Sequence, residues 1–349
     1  MAIEKWVLSL DDVGREDTGL VGGKCANLGE MMKLGVRVPT GFAVTTEAYE
    51  SFLKETGADK EMSRYLEKFP DMPQTLAEFQ EVSKAIQDII VSKEIPKVLQ
   101  KAISREYNGL CQKTGVPDLP VAIRSSGVAE DMPTASFAGQ YDSYLNVKGE
   151  EDVLQKVRLC WASGFTTRCI NYRVQNKLGV LGGSISIAVQ KMVNSRAAGV
   201  GFTVHPLSGD DTRIILEGNW GLGESVVQGV VDPDIFVIDK ESLALEEKEI
   251  STKRRQYSFR DRGTAEEDVP FEKQCLACIS DEEAVLVAQF TKLVESHYGL
   301  PIDIEWAVDG DLRFPEGVFL VQARPVTVVV EKRSTTDQIL DNIMPRFYR

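Results

Sequence analysis

Residues 121–147 read VAIRSSGVAEDMPTASFAGQYDSYLNV, and this stretch decides the fold that the sequence predicts. It begins as a short apolar strand over 121–123, with Arg124 where that strand is expected to end. Small residues fill the two loops that follow, 125–127 and 134–140. A guanidinium makes forked hydrogen bonds to phosphate oxygens, and small residues let backbone N–H groups approach them, so the stretch suits a bound polyphosphate. From composition alone, a basic residue beside an ordinary surface hairpin is the more frequent explanation, because short phosphate-loop patterns recur by chance.

The composition describes an acidic, globular protein. The chain has 349 residues, of which 43% are hydrophobic, and this length predicts about two domains. Its formal net charge of −13 and its lack of basic patches argue against nucleic acid as a partner. An acidic chain that binds a polyphosphate needs local cations, and Lys24, Arg124 and Arg324 are the candidates. A divalent metal would supply the remaining positive charge.

The ends and apolar runs of the sequence bear on its location. The N-terminal residues MAIEKWVLSL are too few and too polar for a signal peptide. No apolar run approaches the roughly 20 residues that a membrane-spanning helix needs. We therefore expect a cytoplasmic protein that binds no membrane.

Hydrophobic periodicity divides the chain into helices and strands. Residues 58–110 place apolar side chains at helical spacing, which predicts a helical insertion that breaks at Pro96 and ends near Gly109. Residues 185–191, ISIAVQK, alternate with the two-residue period of a strand. The other predicted helices span 25–33, 152–176 and 281–298, and the other predicted strands span 6–10, 41–45, 213–218, 234–238, 301–308 and 317–323.

This mixed order of elements predicts an α+β architecture rather than a regular doubly wound parallel sheet. We expect a subdomain boundary near His205 and Pro206, with a first subdomain over 1–205 and a second over 206–330. The polar residues 331–349 are expected to form a linker or docking tail.

Seven motifs extend along most of the chain. They are GGKCANLG over 22–29 with VPTGF over 38–42, the stretch 121–147, CWAS over 160–163 with TTR over 166–168, VQKMV over 189–193 with AGVGFT over 198–203, WGLGESVVQG over 220–229, DIEW over 303–306, and VQARP over 321–325. In this order they resemble the N-terminal nucleotide-binding domain of the phosphoenolpyruvate synthase and pyruvate phosphate dikinase family. Rifampin phosphotransferase and phenylphosphate synthase share that domain. The resemblance implies an ATP-grasp fold with two subdomains and a helical insertion.

The resemblance also implies roles for residues in the first half of the chain. Lys24 follows two glycines, but outside a Walker GxxxxGK[ST] sequence it would by itself be taken for a solvated lysine. The matching lysine of the family contacts ATP phosphates, and Arg124 matches the family's phosphate-binding arginine. The matched lid segment implies nucleotide contacts from Thr134, Ala135, Ser136 and Gly139. The matched adenine-bordering strand implies contacts from Gln190 and Met192, and Glu217 is also expected to reach the nucleotide.

A second group of polar residues comes from two predicted strands near the end of the family match. Gln322 and Arg324 share one face of their strand, because alternate residues point the same way. With Glu305 they could hold a metal and a phosphate, and a buried salt bridge between Glu305 and Arg324 is the alternative. The resemblance assigns Glu305 and Gln322 to Mg²⁺ bound with ATP, and Arg324 to the transferred phosphate. Arg124, Glu305 and Arg324 are therefore the expected catalytic residues.

The histidines mark a departure from the full-length family pattern. Those enzymes pass phosphate through a histidine on a mobile domain, within a Thr-Cys/Ser-His-Ala-Ala sequence. His205, which precedes Pro206, and His297, which precedes Tyr298, both lack that setting. A histidine before a proline is more often structural or exposed than catalytic. The barrel domain that binds pyruvate is also missing from this sequence.

The resemblance thus implies an ATP-dependent phosphotransferase of the dikinase type, with paired acceptors. It would bind Mg²⁺ and ATP and phosphorylate a histidine on a partner subunit, yielding AMP and phosphate. That partner would also carry the acceptor-binding domain, so turnover would need both chains. A phenylphosphate-synthase-like complex is the leading expectation, because that enzyme resembles a phosphoenolpyruvate synthase split into separate chains, and an ending at Arg349 fits such a subunit.

Two alternatives remain for the function. The first is a split or excised nucleotide-binding domain of a phosphoenolpyruvate synthase. The second is a non-catalytic nucleotide-binding regulatory module. The joint presence of Lys24, Arg124, Glu305, Gln322 and Arg324 argues against the second alternative, because a module that only binds nucleotide need not keep the whole charge-neutralising set.

Overall fold

The computed structural model describes residues 5–69, 72–127, 131–132, 135–136, 142–205 and 208–326. The chain divides into two compact units. The first contains the chain as far as Ser195 together with 257–267 and 319–323, and the second contains 196–256, 268–318 and the chain from Arg324. The boundary near His205 and Pro206 stays a prediction, and the predicted tail over 331–349 lies outside the described residues.

The first unit is built on a five-stranded antiparallel sheet. Its strands are β1 (Val7–Ser9), β2 (Gly41–Val44), β3 (Val121–Gly127), β6 (Ser143–Val147) and β7 (Ile185–Lys191), in the order β1-β2-β7-β3-β6. A separate short pair consists of β4 (Asp131–Met132) and β5 (Ala135–Ser136). Its helices are α1 (Thr18–Lys33), α2 (Thr46–Thr56), α3 (Ala58–Leu66), α4 (Leu76–Ser92), α5 (Lys97–Thr114), α6 (Glu150–Ser163) and α7 (Thr167–Gln175).

The second unit is built on a six-stranded sheet. Its strand order is β11-β10-β9-β8-β14-β15, where the strands are β8 (Ser195–Phe202), β9 (Arg213–Trp220), β10 (Asp234–Asp239), β11 (Leu245–Glu249), β14 (Ile302–Asp309) and β15 (Val318–Pro325). The chain also forms a hairpin of β12 (Arg255–Phe259) and β13 (Thr264–Asp268), and the helices α8 (Glu224–Val227) and α9 (Asp281–Tyr298). Helices and largely antiparallel sheets in both units confirm the predicted α+β class.

The two faces of the first sheet differ in character, and the strand register explains why. Phe42, Val189 and Ile123 stand opposite one another across β2, β7 and β3, and all three are buried in the hydrophobic core. That core is completed by apolar side chains of helices α2 to α7. Successive strand residues point to opposite faces. The next row, which contains Gln190 and Ala122, therefore faces away from this core, on the side that α1 also packs against.

Ser126 of β3 makes two hydrogen bonds to helix α1. Gly22 interrupts the helix with a φ of 73°, a conformation that glycine adopts without strain. A Cβ at this position would lie 1.9 Å from the backbone oxygen of Ser126, so only glycine lets the two segments approach. The hydroxyl of Ser126 donates to the carbonyl of Val21 at 2.8 Å and accepts from the backbone N–H of Cys25 at 3.0 Å. The GGK motif is therefore bound tightly to the strand that carries Arg124.

The turn between β12 and β13 belongs to the first unit, and the side chain of Asn146 is hydrogen-bonded to it. The buried side-chain amide of Asn146 donates to the carbonyls of Arg260 at 2.7 Å and Gly263 at 2.8 Å. Asn146 itself has a φ of 55°, a region that asparagine tolerates better than most residues. The sequence predicted neither strand of this hairpin, since the charged residues of 245–268 conceal any alternation.

Several predicted boundaries were wrong, each for a local reason. Strand β3 does not end at Arg124, because pairing with β7 continues as far as Gly127 and overrides the low strand propensity of serine and glycine. Helix α5 does not end near Gly109, which lies in the helix interior; it ends before Gly115, whose φ of 70° forms the cap. The predicted helix over 152–176 is two helices, and Thr166 caps the second by accepting from the N–H of Cys169.

Other predictions were accurate. Strand β7 and helix α9 have the predicted bounds, and the break at Pro96 separates α4 from α5. Within the part of the chain that the structure describes, none of the helices combines the length and the apolar character needed to cross a membrane.

The contact between Gly22 and Ser126 gives a stability prediction. We expect Gly22→Ala to lower the free energy of unfolding by at least about 2 kcal/mol, because the methyl group meets backbone and the positive φ becomes strained. Gly19→Ala is the matched control, since Gly19 lies on the same helix and no atom lies within 4 Å of the place that its Cβ would take. The control should be neutral or slightly stabilising. Urea unfolding of both variants measures the difference, and equal stabilities would contradict the proposed constraint.

Candidate functional site

The first unit brings two predicted phosphate-binding cations to the same strand. The ammonium of Lys24 donates to the carbonyl oxygen of Ser125 at 2.9 Å. Ser125 directly follows Arg124 in β3, so the Lys24 side chain reaches the backbone next to Arg124. Both cationic side chains are partly exposed. Because Gly22 and Ser126 fix the start of α1 against β3, the position of Lys24 is set by the fold rather than by a flexible loop.

Gln190 lies on the same face of the sheet as Arg124. Arg124 stands opposite Ala188 of β7, and Gln190 is two residues further along that strand. Residues two apart on a strand share a face. The side chains of Ala188 and Ala122 lie on this face as well, and both are buried.

The amide of Gln190 is oriented by the adjacent loop. Its side chain is 3% exposed, and its Nε2 donates to the carbonyl of Pro39 at 3.2 Å. Met192 follows the end of β7 and donates its backbone N–H to the carbonyl of Pro120 at 2.9 Å. Both residues therefore lie at the end of β7, the strand that the sequence assigned to the adenine.

The predicted lid residues are only partly described. Thr134 and Gly139 lie outside the described residues. Ala135 and Ser136 form β5 and pair with Met132 and Asp131 of β4, and their contacts with a nucleotide stay a prediction.

The second unit holds an arginine against a carboxylate for which the sequence predicted no role. Arg324 of β15 donates to Oδ2 of Asp303 through Nε at 2.9 Å and through Nη2 at 2.7 Å. The Asp303 side chain is 17% exposed and that of Arg324 is 37% exposed. Asp303 and Glu305 alternate on β14 and so share a face.

Gln322 and Arg324 alternate on β15, as predicted. A salt bridge between Arg324 and Glu305 was the alternative to a phosphate contact. The structure shows an ion pair between Arg324 and Asp303, which was not expected from the sequence. Its two hydrogen bonds fix the plane of the guanidinium, and an oriented guanidinium suits a phosphate as well as a carboxylate.

Among the described acids of the second unit, Asp303 and Glu217 have a raised pKa. Burial raises the pKa of Asp303, and the nearby charge of Glu305 raises it further, while Arg324 acts in the opposite direction. Burial also raises the pKa of Glu217, and His205 opposes that shift. Glu217 lies in the middle of β9, opposite Val200 of β8 and Ile235 of β10. Strongly shifted acids are enriched at functional sites, although structural networks perturb acids too.

The two histidines have different surroundings. His205 is partly buried, and its Nδ1 accepts from the backbone N–H of Ser208 at 3.1 Å. His297 lies exposed near the end of α9, with its ring edge-on to Tyr298. Neither setting indicates a phosphorylated residue.

The acids of β14 fit a hard cation. Among the residues that the structure describes, no group of three His, Cys, Asp or Glu side chains could hold a metal by themselves. The carboxylates of Asp303 and Glu305 share one face of β14, and oxygen donors are what Mg²⁺ prefers. Mg²⁺ in nucleotide sites takes one or two carboxylates and completes its coordination with phosphate oxygens and water. The two acids of β14 therefore suit a metal that arrives with a polyphosphate, and the assignment of Glu305 and Gln322 to Mg²⁺ stays a prediction.

The burial of Glu217 gives a pH-dependent prediction. Its pKa in the folded protein is raised above the ordinary value of 4.5, so its charged form is disfavoured by folding. Glu217→Gln should therefore raise the free energy of unfolding near pH ~7, and the gain should fade as the pH falls through the folded pKa towards ~4.

Glu249→Gln on exposed β11 is the matched control for this prediction. It should change the stability little at either pH. Urea unfolding at the two pH values provides the measurement. A Glu217→Gln variant that is less stable than the wild type near pH ~7 would show that the carboxylate makes a favourable contact instead.

Comparisons with known proteins agree with the motifs. The family model of the pyruvate phosphate dikinase, AMP/ATP-binding domain, matches residues 18–344. A probable phosphoenolpyruvate synthase of Methanothermobacter thermautotrophicus is 44% identical over 334 residues, which cover 95% of this chain and 48% of that protein. The phosphoenolpyruvate synthase of Aeropyrum pernix is 38% identical over 358 residues, which cover 95% of this chain and 43% of that protein. The chain therefore spans about half the length of these curated relatives.

Solved structures resemble the chain only distantly. The dinucleotide-forming acetyl-coenzyme A synthetase 1 of Ca. Korarchaeum cryptofilum covers 70% of this chain and 91% of its own, at 13% identity and a TM-score of 0.29, which is too low to support an argument. The family model, by contrast, covers nearly the whole chain. This chain belongs to the pyruvate phosphate dikinase AMP/ATP-binding domain family.

Proposed function

We propose that this chain binds Mg²⁺ and ATP and donates a phosphoryl group to a histidine carried by a partner subunit or a further domain. The family supports ATP as the nucleotide, since its domain is described as AMP/ATP-binding. The observation that carries the proposal is the contact of Lys24 with the carbonyl of Ser125, which brings a second cation to the backbone beside Arg124. Two adjacent cations on an acidic protein suit a polyanion.

In this proposal, residues of the first sheet bind the nucleotide, and residues of β14 and β15 bind the metal and the transferred phosphoryl group. On the first sheet, Lys24 and Arg124 would hold phosphate oxygens, and Gln190 and Met192 would border the base. On β14 and β15, Glu305 and Gln322 would hold Mg²⁺, which neutralises phosphate charge when it is bound. Arg324, oriented by Asp303, would stabilise charge on the phosphoryl group during transfer.

Such a site needs little covalent chemistry of its own. Phosphoryl transfer depends mainly on positioning and on cancelling charge. In the proposed cycle the nitrogen of the acceptor histidine forms a bond to the β-phosphorus of ATP and the bond from that phosphorus to the AMP oxygen breaks, which releases AMP and leaves a pyrophosphoryl group on the histidine. Water then attacks the γ-phosphorus, the bond from that phosphorus to the bridging oxygen breaks, and inorganic phosphate is released. The β-phosphoryl group remains on the histidine. The settings of His205 and His297 support an acceptor elsewhere.

The final acceptor of the phosphoryl group has two candidates. The sequence favoured a phenylphosphate-synthase-like complex, in which a phenol is the acceptor. The relatives named phosphoenolpyruvate synthase favour pyruvate instead, because they are 38% to 44% identical over 95% of this chain. In both cases this chain would have the same task and would turn over only with its partner. We infer a cytoplasmic location from the resemblance to metabolic phosphotransferases.

The first experiment tests nucleotide binding. Titration calorimetry of the chain with ATP and magnesium should show binding, and Lys24→Ala should weaken it by about ten- to a hundredfold, since a charge-assisted contact with phosphate is lost. Lys33→Ala on the same helix is the matched control. Lys33 is 42% exposed and pairs with Glu16 at 3.4 Å, so its loss should leave the affinity unchanged. Equal affinity in the two variants would contradict the role of Lys24, and a folded wild type that binds no ATP would overturn the proposal.

The second experiment tests transfer to a partner histidine. The chain is incubated with ATP labelled at the β-phosphate, with and without the histidine-bearing polypeptide, and the proteins are separated under alkaline conditions that preserve phosphohistidine. Label should appear on the partner alone and only when both proteins are present. Label on this chain that disappears in His205→Ala or His297→Ala would make it an autophosphorylating kinase.

The Arg324→Lys variant, used in the same experiment, tests whether the guanidinium of Arg324 takes part in phosphoryl transfer. Lysine keeps the charge but loses the planar fork that pairs with Asp303, so transfer should fall by about a hundredfold or more while the fold survives. ATP binding by the variant, measured by calorimetry, shows that the nucleotide site remains. Transfer at the wild-type rate would mean that Arg324 has only a structural role. A non-catalytic regulatory module would bind ATP and label no partner.

A further inference from the structure

A short turn of the second unit presents two apolar side chains to solvent. Phe271 is 88% exposed and Leu276 is 55% exposed, and both belong to the turn 270–276, which begins with a single 3₁₀ turn. Single exposed apolar residues are common on protein surfaces. A phenylalanine that is almost entirely exposed, with a half-exposed leucine five residues away in the same turn, places two large apolar side chains in water, as interaction sites do.

The turn is held by a network that leaves its apolar side chains outside. The indole N–H of Trp220 donates to the carbonyl of Lys273 at 3.1 Å, and the ammonium of Lys273 lies 5.6 Å from the Trp220 ring centre. The carbonyl of Gln274 accepts from the backbone N–H of Lys253 at 2.9 Å, and its side-chain Nε2 donates to the carbonyl of Val269 at 3.0 Å. The exposure of Phe271 is therefore fixed by the fold rather than by a loose loop.

This network rests on a fully buried ion pair. Lys253 and Asp234 pair with both side chains 0% exposed, and Asp234 also accepts from the backbone N–H groups of Ser251 and Cys278. Removing one partner of such a pair is strongly destabilising. The WGLGESVVQG motif thus contributes Trp220 to the support of this turn, a task that its sequence resemblance did not assign. A rigid turn that offers an aromatic side chain has the character of an interface hot spot.

The length of the relatives indicates what covers the turn. The chain matches only 48% of the Methanothermobacter relative, so in that protein the remainder, a polypeptide of similar length, accompanies the part that resembles this chain. We propose that the turn 270–276 docks the polypeptide corresponding to that remainder, with Phe271 entering an apolar pocket of it. Glu272 and Lys273 supply a polar rim beside the apolar anchor. The proposal rests on the proposed function, since it names the surface that the phosphoryl acceptor uses.

The test uses this chain together with the half of the Methanothermobacter relative that lies beyond the match. Phe271→Ser should raise the dissociation constant of the two polypeptides at least tenfold, and Leu276→Ser should also raise it. Leu300→Ser is the matched control, because Leu300 is 51% exposed elsewhere on the second unit and should have no effect. A photoreactive phenylalanine at position 271 should cross-link the two polypeptides.

Three outcomes would overturn the docking surface. They are wild-type affinity in Phe271→Ser, no cross-link from position 271, and a cross-link only between copies of this chain, which would make the turn a dimer contact. These outcomes are separable from failure of the proposed function. If label passes from ATP to the second polypeptide at the wild-type rate in Phe271→Ser, transfer stands and the docking surface fails. If Phe271→Ser weakens binding but no label passes even in the wild type, docking stands and the proposed transfer fails.

Discussion

The close approach of Ser126 to the start of α1 is the constraint on which the arrangement of the first unit depends. Gly22 permits this approach, and the Ser126 hydroxyl closes it with one donated and one accepted hydrogen bond. Lys24 lies two residues after Gly22. Its ammonium reaches the carbonyl of Ser125 because the kink at Gly22 sets the path of the helical turn that follows. A side chain at position 22 would force the backbone apart and move the ammonium away from β3. The glycines of the GGK motif are therefore structural conditions for the lysine that follows them.

The two faces of the first sheet carry different kinds of side chain. One face buries large apolar residues against helices α2 to α7, and this burial supplies the hydrophobic stabilisation of the unit. The other face carries alanines with Arg124 and Gln190. Because alternate residues of a strand have opposite directions, a single strand such as β7 serves both faces.

Elements could be predicted from sequence where a pattern had a local physical cause. The alternation of ISIAVQK gave β7, and the capping box of Ser280 and Glu283 with Gly299 explains why the bounds of α9 could be predicted. Prediction failed where tertiary pairing decided the outcome. Strand β3 continues through Ser125 and Ser126 only because β7 pairs with them, and the hairpin of β12 and β13 depends on Asn146, which is more than 100 residues away in the chain.

The site residues show the same division. Lys24, Arg124, Gln190 and Arg324 could be named as candidates because their motifs match those of the family, and their contacts with a nucleotide stay a prediction. Asp303 could not be separated from an ordinary strand aspartate by the sequence, since its importance comes from the geometry of Arg324 on the neighbouring strand. Burial disfavours the charged form of Asp303 and of Glu217. This cost is offset in part for Asp303 by its ion pair with Arg324, whose charge favours the ionised carboxylate. In the proposed function, a cation that arrives with a polyphosphate would offset a further part of the cost when it binds near Asp303 and Glu305.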